Sequence, residues 1–196
     1  MRKIIAHEWM SLDGVVQAPS YAGEDPDGGF AHGGWHTPYF DDLSQQWVAS
    51  GIGAARAFLF GRRTYEIFAA HWPRAADAER PLAEPLNTRP KYVASTTLTE
   101  PLAWANSILL PDEVTGALRA LKRRDGPDLH LIGSAQLAQT LLRHDLIDEM
   151  RLMIDPLTLG AGKRLFPVNS TPKQLRLSDS QVTTTGAILA TYTRTP

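Results

Sequence analysis

The chain has 196 residues, 43% of them hydrophobic and 21% charged, a composition that predicts one compact domain over residues 1–196. A formal net charge of -1 and the absence of cysteine argue against nucleic-acid binding, disulfides and thiolate metal sites, and are compatible with a cytoplasmic location. No apolar run approaches the roughly 20 residues that span a bilayer, and the N-terminus does not resemble a signal peptide, so we expect no membrane segment.

A strand and a long loop open the chain. β-branched and aromatic residues predict a strand over Lys3–Trp9, followed by the turn pair Asp13-Gly14. The segment Gln17–Pro38 is rich in glycine and proline, which predicts a mobile loop that buries little apolar surface. A loop of this length inside a compact domain is usually functional.

The middle of the chain predicts a helix and then a strand, turn and helix in direct succession. Apolar residues at helical spacing indicate a helix over Tyr39–Ala54. Ala57–Phe60 is a short apolar strand, Gly61 ends it, and Arg62–Ala70 has the pattern of a helix. Prolines predict a loop over Arg80–Pro90.

The remaining pattern alternates strands and helices and ends in β structure. It predicts strands over Lys91–Ala94, Leu129–Ile132 and Glu149–Ile154, helices over Glu113–Arg124 (capped by Asp112) and Ala135–Leu142, and a hairpin of Gln174–Thr183 with Ala187–Thr193. The fold class is therefore α/β, with a mostly parallel central sheet, flanking helices and an antiparallel C-terminal edge hairpin.

Small or polar turns directly follow three of these strands. They are Gly61-Arg62-Arg63-Thr64, Ser95-Thr96-Thr97 and Gly133-Ser134-Ala135. Helix N-termini offer unpaired N–H groups to anions, and arginine can bind phosphate with two hydrogen bonds, so these turns are candidate phosphate sites. A glycine after a strand is also ordinary turn chemistry, and the usual dinucleotide and P-loop glycine motifs are absent.

Acidic and aromatic residues near the expected cleft are the candidate catalytic and substrate-binding groups. The acids are Glu8, Asp13, Asp41 and Asp42, although Asp13 could simply shape its turn and the other two aspartates could cap a helix. Trp35, Tyr39 and Trp47 could form flat walls for a ring or could pack in the core. His32 and His36 are interpreted as exposed loop residues, and no metal motif occurs.

Four motifs together resemble the reductase domain of riboflavin-biosynthesis deaminase-reductases, the RibD C-terminal family, in stand-alone form. They are MSLDG (10–14), GRRTYE (61–66), IGSAQLAQTLL (132–142) and DEMRLMIDPLTLGAGKRLF (148–166). The resemblance implies a dihydrofolate reductase-like fold, NADPH as the cofactor and a homodimer. Gly14, Gly61, Arg62, Arg63, Thr64, Ser95, Thr96, Gly133, Ser134 and Ala135 would then contact NADPH.

The resemblance also implies an activity. We expect an NADPH-dependent reductase that transfers a hydride to a small pterin-, pyrimidine- or flavin-like ring, with Asp13 as the first choice for the acid. The pterin-binding acid of dihydrofolate reductases would correspond to Asp41 or Asp42. Two alternatives stay open at this point, namely a nucleotide-binding module without catalysis and a purely structural dimerising domain.

Overall fold

The computed structural model describes residues 1–166, 168 and 170–195 and contains one eight-stranded sheet with the order β4-β3-β2-β5-β1-β6-β8-β7. The strands are β1 Ile4–Ser11, β2 Ala57–Gly61, β3 Lys91–Ala94, β4 Ser107–Leu109, β5 Leu129–Ile132, β6 Glu149–Asp155, β7 Leu175–Val182 and β8 Ile188–Arg194. Pairing is parallel from β4 through to β6, and β8 and β7 add antiparallel to that edge. The predicted sheet and its C-terminal hairpin are confirmed.

Helices cover both faces of this sheet. They are α1 Asp42–Ala54, α2 Arg62–His71, α3 Arg80–Thr88, α4 Val114–Arg123 and α5 Ala135–Arg143. One apolar core joins the sheet to α4 and α5 through residues such as Leu118 and Leu141. The second core joins it to α1, α2 and α3 around Phe58 and Phe60. No helix in the described part of the chain is long and apolar enough to cross a membrane.

The expectation of a loop over Arg80–Pro90 is wrong, because α3 occupies most of this segment. Pro81 lies in the first helical turn, where its missing N–H costs nothing, and Pro85 removes only one later hydrogen bond. Two smaller differences concern β4, which the sequence pattern did not indicate, and the cap of α4. The side chain of Glu113, not that of Asp112, caps α4 by accepting a hydrogen bond from Gly116 N at 2.7 Å.

Lys91 closes the C-terminal end of α3 with a buried ammonium group. Its Nζ donates to the carbonyl oxygens of Leu86 at 2.8 Å and Arg89 at 2.9 Å, and it lies 4.6 Å from the ring centroid of Trp104. The residue is fully buried, and burial lowers the pKa of the amine to about 8. The hydrogen bonds to helix-terminal carbonyls offset part of the cost of burying this cation.

We therefore expect Lys91→Met to lower the free energy of unfolding by about 1–3 kcal/mol, because the stem volume is kept while buried carbonyl groups lose their donor. Urea denaturation measures the change. Lys3→Met, at an exposed position, is the matched control and should stay within about 0.5 kcal/mol of the wild type. A Lys91→Met protein as stable as the control would show that the ammonium group does not hold the end of α3.

Candidate active site

A cleft of about 1010 Å³ opens where the carboxyl ends of β1, β2, β3 and β5 meet. This volume lies at the upper end of the roughly 300–1,000 Å³ that is typical of small-molecule sites. Parallel strands end at the same edge of a sheet, so the three predicted turns come together here. All the residues expected to contact NADPH line the cleft except Gly14, which lies outside it.

The turns before α2 and α5 touch each other. The N–H group of Gly61 donates to Ser134 Oγ at 2.9 Å, and this hydroxyl donates to Ile132 O at 3.2 Å. Gly133 and Ser134 both have left-handed backbone conformations, with φ values of 53° and 65°. Such a φ is unusual for serine, and here it aims the hydroxyl at the neighbouring turn while the N-terminus of α5 faces the cleft.

Neither α2 nor α5 has a side-chain cap, whereas Asp41 caps α1 and Glu113 caps α4. The first N–H groups of an α-helix have no partner inside the helix. In α2 and α5 these groups border the cleft, and the positive ends of both helix dipoles lie there as well. This end of the cleft is therefore suited to an anion that accepts several backbone hydrogen bonds.

The two neighbouring arginines of α2 have different surroundings. Arg62 is exposed and forms an i,i+4 ion pair with Glu66 at 2.8 Å. Arg62 also borders the cleft, as do Ser95 and Thr96. Arg63 donates to Asp25 and Asp27, at 2.7 Å each. Its guanidinium is thus occupied by carboxylates of the chain itself.

Lys163 completes this charge cluster. Its ammonium group contacts Asp25 at 2.6 Å and Asp27 at 2.8 Å, so two cations face two carboxylates. Gln17 adds hydrogen bonds to the carbonyl oxygens of both aspartates, at 2.9 and 3.0 Å. The ion pairs of Arg63 and Lys163 hold residues 17–38, the cover segment, against the cleft, and the bonds of Gln17 lie within the segment.

The other end of the cleft is mostly apolar. Its aromatic residues are Trp9, Phe40, Phe68 and Trp72, and its aliphatic residues are Val48, Ile52 and Leu82. Trp72 lies one turn beyond Phe68, with ring centroids 5.8 Å apart. Sequence reasoning did not assign these aromatic residues to the site, although Trp9 ends the predicted first strand and Phe68 lies on the predicted helix after Gly61.

Glu8 is the buried acid of this apolar end. It is 2% exposed, it lines the cleft, and its Oε1 has no hydrogen-bond partner among the described residues. Burial raises the pKa of this carboxyl group to about 8, because water no longer stabilises its charge. Glu8 is therefore mostly neutral at pH 7 and is able to donate a proton or a hydrogen bond.

His36 lines the cleft beside Trp9, with ring centroids 5.9 Å apart, so its interpretation as an exposed loop residue is wrong. It is 6% exposed, and its Nδ1 is 2.8 Å from Oδ2 of the fully buried Asp155. This contact fixes the orientation of the ring. His32, in contrast, is exposed as expected.

Asp13, the first choice for the catalytic acid, does not line the cleft. Its carboxylate accepts hydrogen bonds from Ser11 Oγ at 2.6 Å, Leu159 N at 3.0 Å and Gly160 N at 2.8 Å, and pairs with Arg164 at 3.3 Å. The bond from Ser11 contributes most to lowering the pKa of this carboxyl group to about 2. The residue joins the loop after β1 to the loop after β6 as a charged hydrogen-bond acceptor.

Asp41, the other acid expected near the reaction, lies at the N-terminus of α1. Its Oδ1 accepts from Ser44 N at 2.9 Å and caps α1, while Oδ2 accepts from Thr184 N at 2.9 Å in the β7–β8 turn. The capping alternative therefore describes Asp41. The hydroxyl of Thr184 donates to Oδ2 at 2.6 Å and contributes most to holding the pKa of this carboxyl group well below the ordinary value, and the bond from Ser44 N adds to it. Neither Asp41 nor Asp42 lines the cleft.

The three aromatic residues expected to bind substrate pack elsewhere. Trp35 is buried and donates from Nε1 to Gln17 O at 2.7 Å, which closes the cover segment on itself. Tyr39 packs near Met153 under the C-terminal hairpin. Trp47 stacks on Arg151, whose guanidinium lies 4.2 Å from its ring centroid. The core-packing alternative therefore describes their positions better than a wall of the cleft does.

Comparisons with known proteins point to one family. The model of the RibD C-terminal domain matches residues 2–189. The uncharacterized protein YyaP of Bacillus subtilis (strain 168) is 27% identical over 199 residues, which cover 97% of this chain and 94% of YyaP.

Two solved structures share the fold. A protein of Shewanella sp. PV-4, named as a candidate riboflavin biosynthesis protein, has a TM-score of 0.71 at 22% identity and 99% coverage of both chains. A pyrimidine reductase-like protein of Corynebacterium diphtheriae NCTC has a TM-score of 0.68 at 14% identity, over 100% of this chain and 92% of its own. The dihydrofolate reductase-like fold is thus confirmed.

The position of Asp13 predicts a pH-dependent contribution to stability. Because folding lowers its pKa from 3.8 to about 2, the contribution is fully present above about pH 4 and is lost as the pH falls through about 2. In Asp13→Asn, the amide has no charge for Arg164, and its NH₂ group opposes the N–H of Gly160. We expect the difference in free energy of unfolding between wild type and Asp13→Asn to shrink steadily as the pH is lowered below 4 in urea titrations.

The matched control is Asp179→Asn, at an exposed position on β7. The free energy of unfolding of Asp179→Asn should differ little from that of the wild type at every pH. An Asp13→Asn difference that does not change with pH would contradict the assignment of Asp13 as a charged structural acceptor.

Proposed function

Because the chain belongs to the RibD C-terminal domain family, we propose that it is a reductase that uses NADPH to reduce a small nitrogen heterocycle. The observation that carries this proposal is the convergence of the uncapped N-termini of α2 and α5 at one cleft with a buried neutral acid. The first feature suits a diphosphate group and the second suits a reaction that consumes a proton.

The residues at the polar end of the cleft fit a dinucleotide. Backbone N–H groups of the turns at Gly61 and Gly133 would bind the diphosphate, and Thr64 and Ala135 would lie beside it. Arg62, Ser95 and Thr96 would bind the 2′-phosphate that distinguishes NADPH from NADH. Arg63 would act through Asp25 and Asp27, by holding the cover segment over the bound molecule.

When bound, NADPH supplies the hydride for the reduction. The chain itself supplies the orientation of the ring, the exclusion of water and the proton. The apolar walls formed by Trp9, Phe68 and Trp72 exclude water from the inner end of the cleft and suit a flat ring. Glu8 lies at this inner end, where a neutral acid can reach the ring.

The names of similar proteins support a ring of the pyrimidine, pterin or flavin type as the substrate. One of the two structures described above is named for riboflavin biosynthesis and the other for similarity to pyrimidine reductases. Such rings are flat and carry polar atoms at their edges. The apolar inner end of the cleft, with its few buried polar groups, matches this distribution.

Calorimetric titration of NADPH and NADH tests the cofactor assignment. We expect NADPH to bind more tightly, and we expect Arg62→Gln to raise the Kd for NADPH about tenfold, because a charge-assisted hydrogen bond to phosphate is lost. The Kd for NADH should change little. The smaller effect on NADH is the signature of a contact to the 2′-phosphate.

Arg124→Gln is the matched control, since Arg124 is exposed and lies outside the cleft. It should leave both dissociation constants within about twofold of the wild type. Absence of binding by either dinucleotide would overturn the reductase proposal and favour a structural dimerising domain. Binding without oxidation by any pterin, pyrimidine or flavin ring would favour a nucleotide-binding module.

We also propose a homodimer, as the family resemblance implies. β7 is an edge strand with a mostly exposed row of side chains, among them Leu177 at 50% and Val182 at 69% exposure. A long exposed edge is a natural pairing surface for a second copy. Sedimentation velocity should show a dimer that Leu177→Lys weakens at least about tenfold. A monomer at all concentrations, or an unchanged dimer in the variant, would contradict this surface.

A further inference from the structure

The hydroxyl group of Ser134 lies between two backbone groups of neighbouring parallel strands. It accepts a hydrogen bond from Gly61 N, at the end of β2, at 2.9 Å. It donates to Ile132 O, at the end of β5, at 3.2 Å. One side chain therefore joins the carboxyl ends of β2 and β5 through two hydrogen bonds in series.

A regular parallel ladder would join the same two backbone groups directly. In such a ladder an N–H group bonds to the carbonyl oxygen of the residue before its partner, as Phe58 N does with Pro90 O on the β3 side of β2. The register of β2 with β5, extended beyond its last pair, makes Ile132 O the acceptor for Gly61 N. The hydroxyl group of Ser134 stands in place of this bond.

The insertion separates β2 from β5 and leaves the other side of β2 paired. Regular pairing with β5 ends at Leu59 with Leu131, whereas pairing with β3 continues to Gly61 with Ala94. β2 therefore parts from β5 at the position where the hydroxyl group enters. Open α/β sheets bind their ligands in the crevice outside the carboxyl ends of the strands. The hydroxyl group of Ser134 holds the base of such a crevice open.

The turns beyond this point pack against each other, each with a hydroxyl-bearing residue beside a glycine of the other. A Cβ atom on Gly61 would lie 3.4 Å from Cβ of Ser134, and one on Gly133 would lie 3.6 Å from Oγ1 of Thr64. Gly61 directly precedes α2, and Ser134 directly precedes α5. These contacts therefore fix the position of one helix N-terminus relative to the other.

The bonding of Ser134 limits what its side chain can do for a ligand. Its φ of 65° lies in the left-handed region, which is unfavourable for serine, and strained residues of this kind concentrate at functional sites. A hydroxyl group has one hydrogen, and that of Ser134 is donated to Ile132 O. The hydroxyl group therefore has no hydrogen left to donate to an anion.

We propose that Ser134 is a positioning residue whose hydroxyl group sets the separation of the N-termini of α2 and α5 for a diphosphate group bound between them. The inference rests on the proposed function and adds a residue that acts on the cofactor through the two turns. The diphosphate is common to NADPH and NADH, so Ser134 governs the affinity for both and not the preference between them. Arg62 has the opposite signature, since its proposed contact is the 2′-phosphate.

The first test follows the exchange of the Gly61 amide hydrogen with deuterium by NMR and needs no cofactor. Ser134→Ala removes the hydroxyl group, so this N–H group loses its acceptor and should exchange at least about tenfold faster. Ser50→Ala is the matched control, because Ser50 is exposed on α1, outside the cleft, and its hydroxyl group donates to Trp47 O. The control should exchange like the wild type at Gly61. An unchanged rate in Ser134→Ala would overturn the proposal.

The second test compares dissociation constants by calorimetry. Ser134→Ala should raise the Kd for NADPH and for NADH by the same factor, about tenfold, because both molecules carry the diphosphate. Adenosine 2′-monophosphate has no diphosphate, and its Kd should stay within about twofold of the wild-type value. Ser134→Cys, whose thiol is a weaker donor and acceptor, should give an intermediate loss. Unchanged constants, or a loss confined to NADPH, would contradict the positioning role.

Ser134→Gly separates the spacing of the turns from stability. Glycine adopts a φ of 65° without strain, and loss of the side chain lets Gly61 N bond directly to Ile132 O. The urea midpoint should therefore be higher than that of Ser134→Ala, while the Kd for NADPH stays raised about tenfold because the turns have moved together. Recovery of the affinity along with the stability would show that Ser134 has only a structural role.

Failure of the proposed function has a different signature. A wild-type protein that binds neither dinucleotide would remove the reductase proposal, and titration with inorganic pyrophosphate then decides the role of Ser134. Pyrophosphate that binds the wild type, and binds Ser134→Ala about tenfold more weakly, would support the positioning of the two turns. Equal binding to the two proteins, or no binding to either, would rule it out.

Discussion

The parallel pairing of β1 with both of its neighbours is the constraint on which the site depends. β1 pairs with β5 over Ile4–His7 and with β6 over Ile5–Ser11, so its carboxyl end lies in the middle of the sheet. Other strands lie on both sides of β1 in the sheet. The turns that follow β2, β3 and β5 open at the same edge of the sheet as the carboxyl end of β1. Two residues of the C-terminal half of β1, Glu8 and Trp9, line the cleft at this point.

The second organising feature is the cancellation of charge at the mouth of this cleft. Arg63 and Lys163 would together present two positive charges, and Asp25 and Asp27 neutralise both. The same contacts hold the cover segment, which has little apolar surface of its own. Ion pairs therefore hold the cover segment in place, because the segment has too little apolar surface to pack into a hydrophobic core.

Local patterns predicted the fold and the polar end of the site because both depend on local chemistry. Strand, glycine turn and helix follow one another directly at Gly61 and at Gly133, and parallel strands then bring such turns together without further information. The sequence was less informative where distant contacts decide the outcome. α3 forms despite Pro85 because Lys91 closes its end, and Trp35 turns inward because Gln17 accepts its N–H.

Glu8 and Asp13 show why the ionisation state of an acid could not be predicted from the sequence. Both are carboxylic acids, and they are five positions apart. Glu8 lies within β1, and Asp13 follows shortly after the end of this strand. Three hydrogen bonds and Arg164 lower the pKa of Asp13 to about 2, whereas burial without a partner raises that of Glu8 to about 8. The largest contribution comes from Ser11, two positions away, but the donors Leu159 N and Gly160 N lie 146 and 147 positions away, after β6. Their environments drive the pKa values of these two carboxyl groups apart, and only Glu8 lines the cleft.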